Sequence, residues 1–96
     1  MWITFDSAKD ARNVAERGLS FEGVAELDWE TAFAVEDTWK DCGERRLRVL
    51  AMLGARLHVA VVTQRGAALH VISFRKANRR EVRLYGESRK QAGISP

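Results

Sequence analysis

The chain has one cysteine and two histidines, and nowhere approaches the roughly 18 consecutive apolar residues of a membrane-crossing helix. A lone Cys42 excludes a disulfide framework and points to a reducing compartment. It lies in a polar Asp41-Cys42-Gly43 stretch with no histidine nearby, a poor setting for an activated thiolate. His58 and His70 stand apart from each other and from Cys42, so no zinc-type cluster is written into the sequence, and neither metal nor other cofactor is expected. The opening Met1-Trp2-Ile3-Thr4-Phe5-Asp6 lacks the positive start and apolar run of a secretion signal. Internal repeats and linker-like stretches are absent too. These absences lead to the expectation of a soluble, cytoplasmic protein with no membrane partner.

Ninety-six residues suffice for one domain, and a chain of that size buries about 60–70% of the surface its unfolded form exposes. The composition, 46% hydrophobic and 30% charged, is that of an ordinary globular domain. The net charge of +3 is unevenly distributed: residues 75–90 carry +5 and the rest of the chain −2. A basic end on a slightly acidic body points to a polyanion or an acidic protein partner. Its plain alternative is a solvated, arginine-rich helix face.

Asp6 and Ser7 suit a helix N-cap, and Ala8, Ala11, Val14 and Ala15 recur at helical spacing up to Gly18, a natural stop. Ser20 caps a second short helix, with Leu19 and Val24 placed as a hydrophobic staple. From Thr31 the apolar period becomes two. Strands are expected over Thr31–Asp37, Arg45–Leu53, Leu57–Gln64 and Leu69–Arg75, with a polar loop at Gly43 and tight turns at Gly54-Ala55-Arg56 and Arg65-Gly66. Asn78-Arg79-Arg80-Glu81 is a capping box, with Ala77 and Val82 placed to staple it and with Val82 and Tyr85 facing the body. The expected domain covers residues 1–86, followed by a polar, frayed tail over 87–96. The architecture is α+β in the order α-α-β-β-β-β-α: an N-terminal helical hairpin, a four-stranded mainly antiparallel sheet and a C-terminal helix.

Arg75, ending the last strand beside Lys76 and just before a helix N-terminus, is the leading candidate for binding an anion. A guanidinium fork matches a phosphodiester, and helix N-termini favour anions. The structural alternative is an ion pair with Glu81. Arg46, on the polar side of its strand, is placed for the meander to bring it beside Arg75; its alternative is an edge charge that opposes aggregation. Arg65 is a turn residue first and a phosphate ligand second. If Arg65-Gly66 is a two-residue loop, Gln64 faces Ala67 and His58 faces Ser73. His58 then shares a face with Arg75, where it would serve as general base for a 2′-hydroxyl, and His70 falls on the other face. Glu81 is first a capping carboxylate, and Tyr85 is core-facing before it is a base-stacking residue. Lys76, Arg79 and Arg80 complete the basic junction. Trp2, Trp29 and Trp39, scattered over the acidic half, read as packing residues.

With these residues in place, the chain resembles BrnT, a toxin family of bacterial type II toxin–antitoxin modules in the RelE-like ribonuclease superfamily. Phe5-Asp6-Ser7-Ala8-Lys9 with Asn13, Gly18, Ser20 and Phe21 is similar to that family's F-D-x-x-K…N…K-H-G-x-x-F opening. Gly43-Glu44-Arg45-Arg46 resembles G-E-x-R, and Val62-Thr63-Gln64-Arg65-Gly66 resembles V-x-T-E-R. Ile72-Ser73-Phe74-Arg75-Lys76-Ala77, with Glu81 and Tyr85, is similar to I-S-A-R-x-A-x-x-x-E…Y. Glu16-Arg17 stands where the family has Lys-His, and Gln64 where it has Glu. The resemblance implies a RelE-like fold and metal-independent endoribonuclease activity, at a site type that often works without a well-placed acid–base pair. The residues it points to are Arg75, Arg46, Arg65, Glu81, Tyr85 and His58. It also implies neutralisation by a BrnA-like ribbon-helix-helix antitoxin, operator DNA binding through that complex, and a dimer or heterotetramer as the assembly. Two rivals remain: a catalytically inactive module that acts with its antitoxin in repression, and a plain nucleic-acid-binding domain.

Overall fold

Alternating apolar and polar residues in the second half of the chain become an antiparallel meander of β3 (Arg46–Leu53), β4 (Arg56–Arg65) and β5 (Ala68–Lys76) in the computed structural model, which describes residues 1–37 and 45–91. β2 (Phe33–Asp37) pairs antiparallel with β3. The expected polar loop with Cys42 and Gly43, Trp39, and the last five residues of the tail lie outside the described residues. Each hairpin turn places a glycine first, Gly54 (φ 61°) and Gly66 (φ 60°), while no non-glycine residue among those described has positive φ. That combination fits type II′ turns, whose twist matches the flanking strands. The second turn is Gly66-Ala67, since Arg65 still pairs with Ala68.

The expectation of four strands is corrected to five. Trp2–Phe5 forms β1, which runs parallel to β5, and the sheet order is β1-β5-β4-β3-β2. The mixed sheet arises because the chain enters beside its own last strand. α1 (Ser7–Arg17) starts on Asp6, whose side chain accepts from the Lys9 N–H, and stops at Gly18. The second expected helix is a 3-10 helix over Phe21–Glu26, capped by Ser20, and a single 3-10 turn over Trp29–Thr31 follows. The C-terminal helix α2 (Arg79–Gln91) runs through Gly86, so residues 87–91, expected in a frayed tail, are helical instead. Among the described residues no helix is long and apolar enough to cross a membrane.

The sheet buries both faces unequally. One carries the main core, where Val49, Ala51, Ala60, Val62, Val71 and Phe74 meet Phe21, Val24 and Leu27. The other carries a smaller cluster of Leu50, Leu57, Val59 and Ala77, covered by Tyr85 of α2. α1 is tied down differently from expectation. Ala8, Ala11, Val14 and Ala15 are exposed, and the buried contact is Asn13, only 5% exposed. Its Nδ2 donates to the carbonyls of Phe74 (3.0 Å) and Leu19 (2.9 Å), which closes a stretch of β5 that β1 is too short to reach. Val82 is 50% exposed, so the expected staple with Ala77 does not form; Ala77 packs into the small cluster alone.

Removing the Asn13 amide leaves two carbonyls without their donor. Asn13→Ala is expected to destabilise the fold by about 1–3 kcal/mol, read as a lower urea midpoint with an unchanged m-value.

Candidate active site

In a pleated sheet residues in register share a face. The cross-strand rows of the face that α2 covers at one end bring together most of the candidates. Arg75 pairs with Val59, which pairs with Leu50. The next row is Ser73, Val61 and Arg48, and the next Thr4, His70, Thr63 and Arg46. Arg65 stands one step further along β4 on the same face. Arg46 is therefore not beside Arg75. It lies two strands over, about 10 Å, and about 13 Å along the strand direction. Arg48 falls between them.

At the closed end, Arg75 meets the first turn of α2. Its Nη1 and Nη2 each donate to a Glu81 carboxylate oxygen at 2.8 Å, and Nη1 also reaches the Lys76 carbonyl at 3.3 Å. The capping box forms as expected, with Glu81 N–H donating to Asn78 Oδ1 and Asn78 N–H to Glu81 Oε1, both at 2.9 Å. Glu81 is 8% exposed. The Arg75 hydrogen bonds, with Asn78 N–H and the charges of Arg75 and Arg48 assisting against burial, hold its carboxyl below the usual carboxylate range. The anchor takes the end of the guanidinium and leaves its side edge, Nε–H with the second Nη2–H, without a partner among the described residues. That edge is the fork suited to two oxygens of one phosphate. Arg48 adds a second cation near Glu81, and its Nε is buried with no hydrogen-bond partner among the described residues. A cavity beside it is lined by Arg48, Asn78, Arg80, Glu81 and Arg83.

The histidines change places relative to expectation. A β-bulge shifts the β4–β5 register between Val62↔Val71 and Val61↔Ser73, so Ile72 has no partner and parity reverses beyond it. With the turn one residue later than expected and the bulge beyond it, His58 faces Lys76, not Ser73, and the bulge turns it into the main-core side. It is 3% exposed, with its ring 5.5 Å from that of Phe74, and its Nδ1–H donates to the Arg56 carbonyl at 2.9 Å. No phosphate on the Arg75 face reaches it. His70 joins that face instead, with Nδ1 2.8 Å from Thr4 Oγ1. Tyr85 is half-buried in the small cluster and its hydroxyl donates to Thr31 Oγ1 at 3.3 Å. Lys76, Arg79 and Arg80 are exposed around the helix start. Gln64 Nε2 donates to the Gly66 carbonyl, within the turn. Sequence reasoning missed Arg48 and His70 as members of this face. Alternation along β3 placed Arg48 beside Arg46 and could have found it; nothing local signals the bulge that brings in His70.

The domain is small and α+β, with arginines ranged along one sheet face and one of them locked to a helix cap. The chain belongs to the family described as ribonuclease toxin, BrnT, of type II toxin–antitoxin systems, whose pattern it matches over residues 5–81. Among solved structures it is similar to the Brucella abortus ribonuclease toxin BrnT, at 28% identity and a TM-score of 0.63, over 82% of this chain and 99% of that one. No curated protein matches it. Membership of a type II toxin–antitoxin family implies an antitoxin as partner.

Because Glu81 titrates below its unfolded value, its ion pair stabilises the fold fully above the ordinary carboxylate pKa of 4.5 and ceases to do so as pH falls through the lower, folded value. Chemical denaturation from pH 7 to pH 3 is expected to show wild-type stability falling more steeply below that range than the stability of Glu81→Gln.

Proposed function

We propose that the protein is an endoribonuclease toxin which cleaves RNA by attack of a ribose 2′-hydroxyl on the adjacent phosphate, without a metal ion. The observation that carries this reading is the Arg75 guanidinium, fixed at its end by Glu81 and open along its side edge. The attacking 2′-oxygen bonds to phosphorus and loses its proton to solvent. The 5′-oxygen departs with a proton from water, and a 2′,3′-cyclic phosphate remains. The pentacoordinate intermediate gathers negative charge, and a preorganised cation that needs no reorientation stabilises it most. Glu81 serves as positioning residue, not as base: its oxygens already accept three hydrogen bonds and its proton affinity is lowered. Arg46 and Arg65, further along the same face, hold phosphates of the flanking strand, and Lys76, Arg79 and Arg80 supply charge around the helix start.

The antitoxin in this reading is a BrnA-like ribbon-helix-helix protein. Its complex with this chain binds operator DNA through the antitoxin, in the cytoplasm. The rival, a module that only binds its antitoxin and contributes to repression, draws on the same ion pair: an Arg75 committed to Glu81 is also what a purely structural arginine looks like.

Arg75→Lys keeps the charge and loses the fork, while Arg75→Ala loses both. Each is expected to lower the rate of RNA cleavage by about 100- to 1000-fold and to abolish growth arrest, with far-UV circular dichroism unchanged. Full toxicity in a folded Arg75→Lys or Arg75→Ala protein contradicts the assignment.

A further inference from the structure

Glu16-Arg17, the pair at which the chain parts from the family's Lys-His, lies at the C-terminal end of α1 beside the end of β5. Arg17, Leu19, Arg75 and Lys76 line one cavity of about 300 Å³. A second, of about 170 Å³, runs on from Arg17 along α1 past Arg12 and Lys9, facing Ile72 and Ser73 at the bulge. Positions 9, 12, 13, 16 and 17 recur at helical spacing, so one side of α1 presents these cations together. Five cations thus line the two cavities against a single carboxylate, Glu16. Among the described residues the one ion pair made by any of these cations is that of Arg75 with Glu81.

A helix face rich in lysine and arginine is ordinarily solvated surface, but two observations separate this one. Arg17 is oriented: its Nη1 donates at 2.9 Å to Oδ1 of the same buried Asn13 whose Nδ2 ties α1 to β5. The cations are also continuous with Arg75, the residue assigned to the reacting phosphate. Like charges held along a cleft with one carboxylate between them repel unless a polyanion occupies it. We propose that this α1–β5 cleft is a phosphate subsite for the backbone of single-stranded RNA. Arg17 and Lys76 take the phosphate next to the one at Arg75, and Arg12 and Lys9 continue the track. The proposal rests on the RNA-cleaving reading and adds the path by which the strand reaches the junction. Arg17 retains Nε–H and Nη2 for a fork to phosphate after its bond to Asn13, and Lys76 adds a point charge. Phosphate binding of this kind gives affinity without sequence preference.

The test uses a single-stranded 2′-O-methyl RNA 12-mer, which lacks the attacking hydroxyl and so reports binding alone. Arg17→Gln/Lys76→Gln is compared with Arg56→Gln/Lys90→Gln, which removes the same charge at the β3–β4 turn and the end of α2. The cleft variant is expected to bind about tenfold more weakly at low salt. The slope of its log-affinity against log-salt is expected to fall by about 0.7 for each phosphate that the variant no longer neutralises. The control is expected to stay within about twofold, and Arg17→Lys to recover part of the affinity. Arg12→Gln/Lys76→Gln, which leaves the Asn13 bond intact, should show the same direction if the first variant unfolds. Equal weakening in cleft and control variants would overturn the subsite and leave the RNA reading standing. No binding of the 12-mer by the wild-type protein would overturn both.

Discussion

The ion pair between Arg75 and Glu81 is the constraint on which the rest of this molecule turns. It joins the last residues of β5 to the first turn of α2, where the strand leaves the sheet and the helix begins to cover it. Glu81 satisfies the helix start and the guanidinium at once, so α2 is held over the small apolar cluster with its N-terminus beside Arg75. With one end of the guanidinium anchored, its free edge has a fixed direction. An arginine left loose there would have to lose side-chain entropy with every substrate bound; this one has already lost it on folding.

The junction was the most legible part of the sequence because its determinants are local. Asn78 and Glu81 sit at capping-box spacing and Arg75 precedes them by only a few residues, so no tertiary information was needed to place them together. The meander was legible for the same reason, since short glycine turns leave consecutive strands little choice of partner. What escaped was non-local. Trp2–Phe5 is too short to show a period, and its parallel pairing with β5 depends on residues more than sixty positions away. The bulge at Ile72 has no signature of its own, yet it reverses the parity of the strand and exchanges His58 for His70 on the Arg75 face. α1 misled because its alanines follow helical spacing while the buried contact is a single polar side chain, Asn13.

The bulge also explains why Arg75 and Ser73 share a face with residues that simple alternation would set opposite. Its effect is to divide β5: before it the strand serves β1, and after it the strand serves α1 and the junction. Asn13 seals that second stretch through the Phe74 carbonyl and steadies Arg17 through its own amide oxygen. Core and candidate site are thus continuous, and a side chain that holds the fold together also aims a cation. Arg48, near Glu81 and with a buried Nε that has no partner among the described residues, extends the positive face toward Arg46 and Arg65.

The central claim is that Arg75 meets a phosphate attacked by its own ribose, with arginine charge in place of a metal ion. The ends of the RNA fragments test this most directly. Purified protein, incubated with RNA in excess EDTA, should leave 5′-hydroxyl ends and 2′,3′-cyclic phosphates, because the 2′-oxygen is the nucleophile. Fragments ending in 5′-phosphate and 3′-hydroxyl, formed by activated water, would contradict the account, as would cleavage that stops when divalent ions are removed.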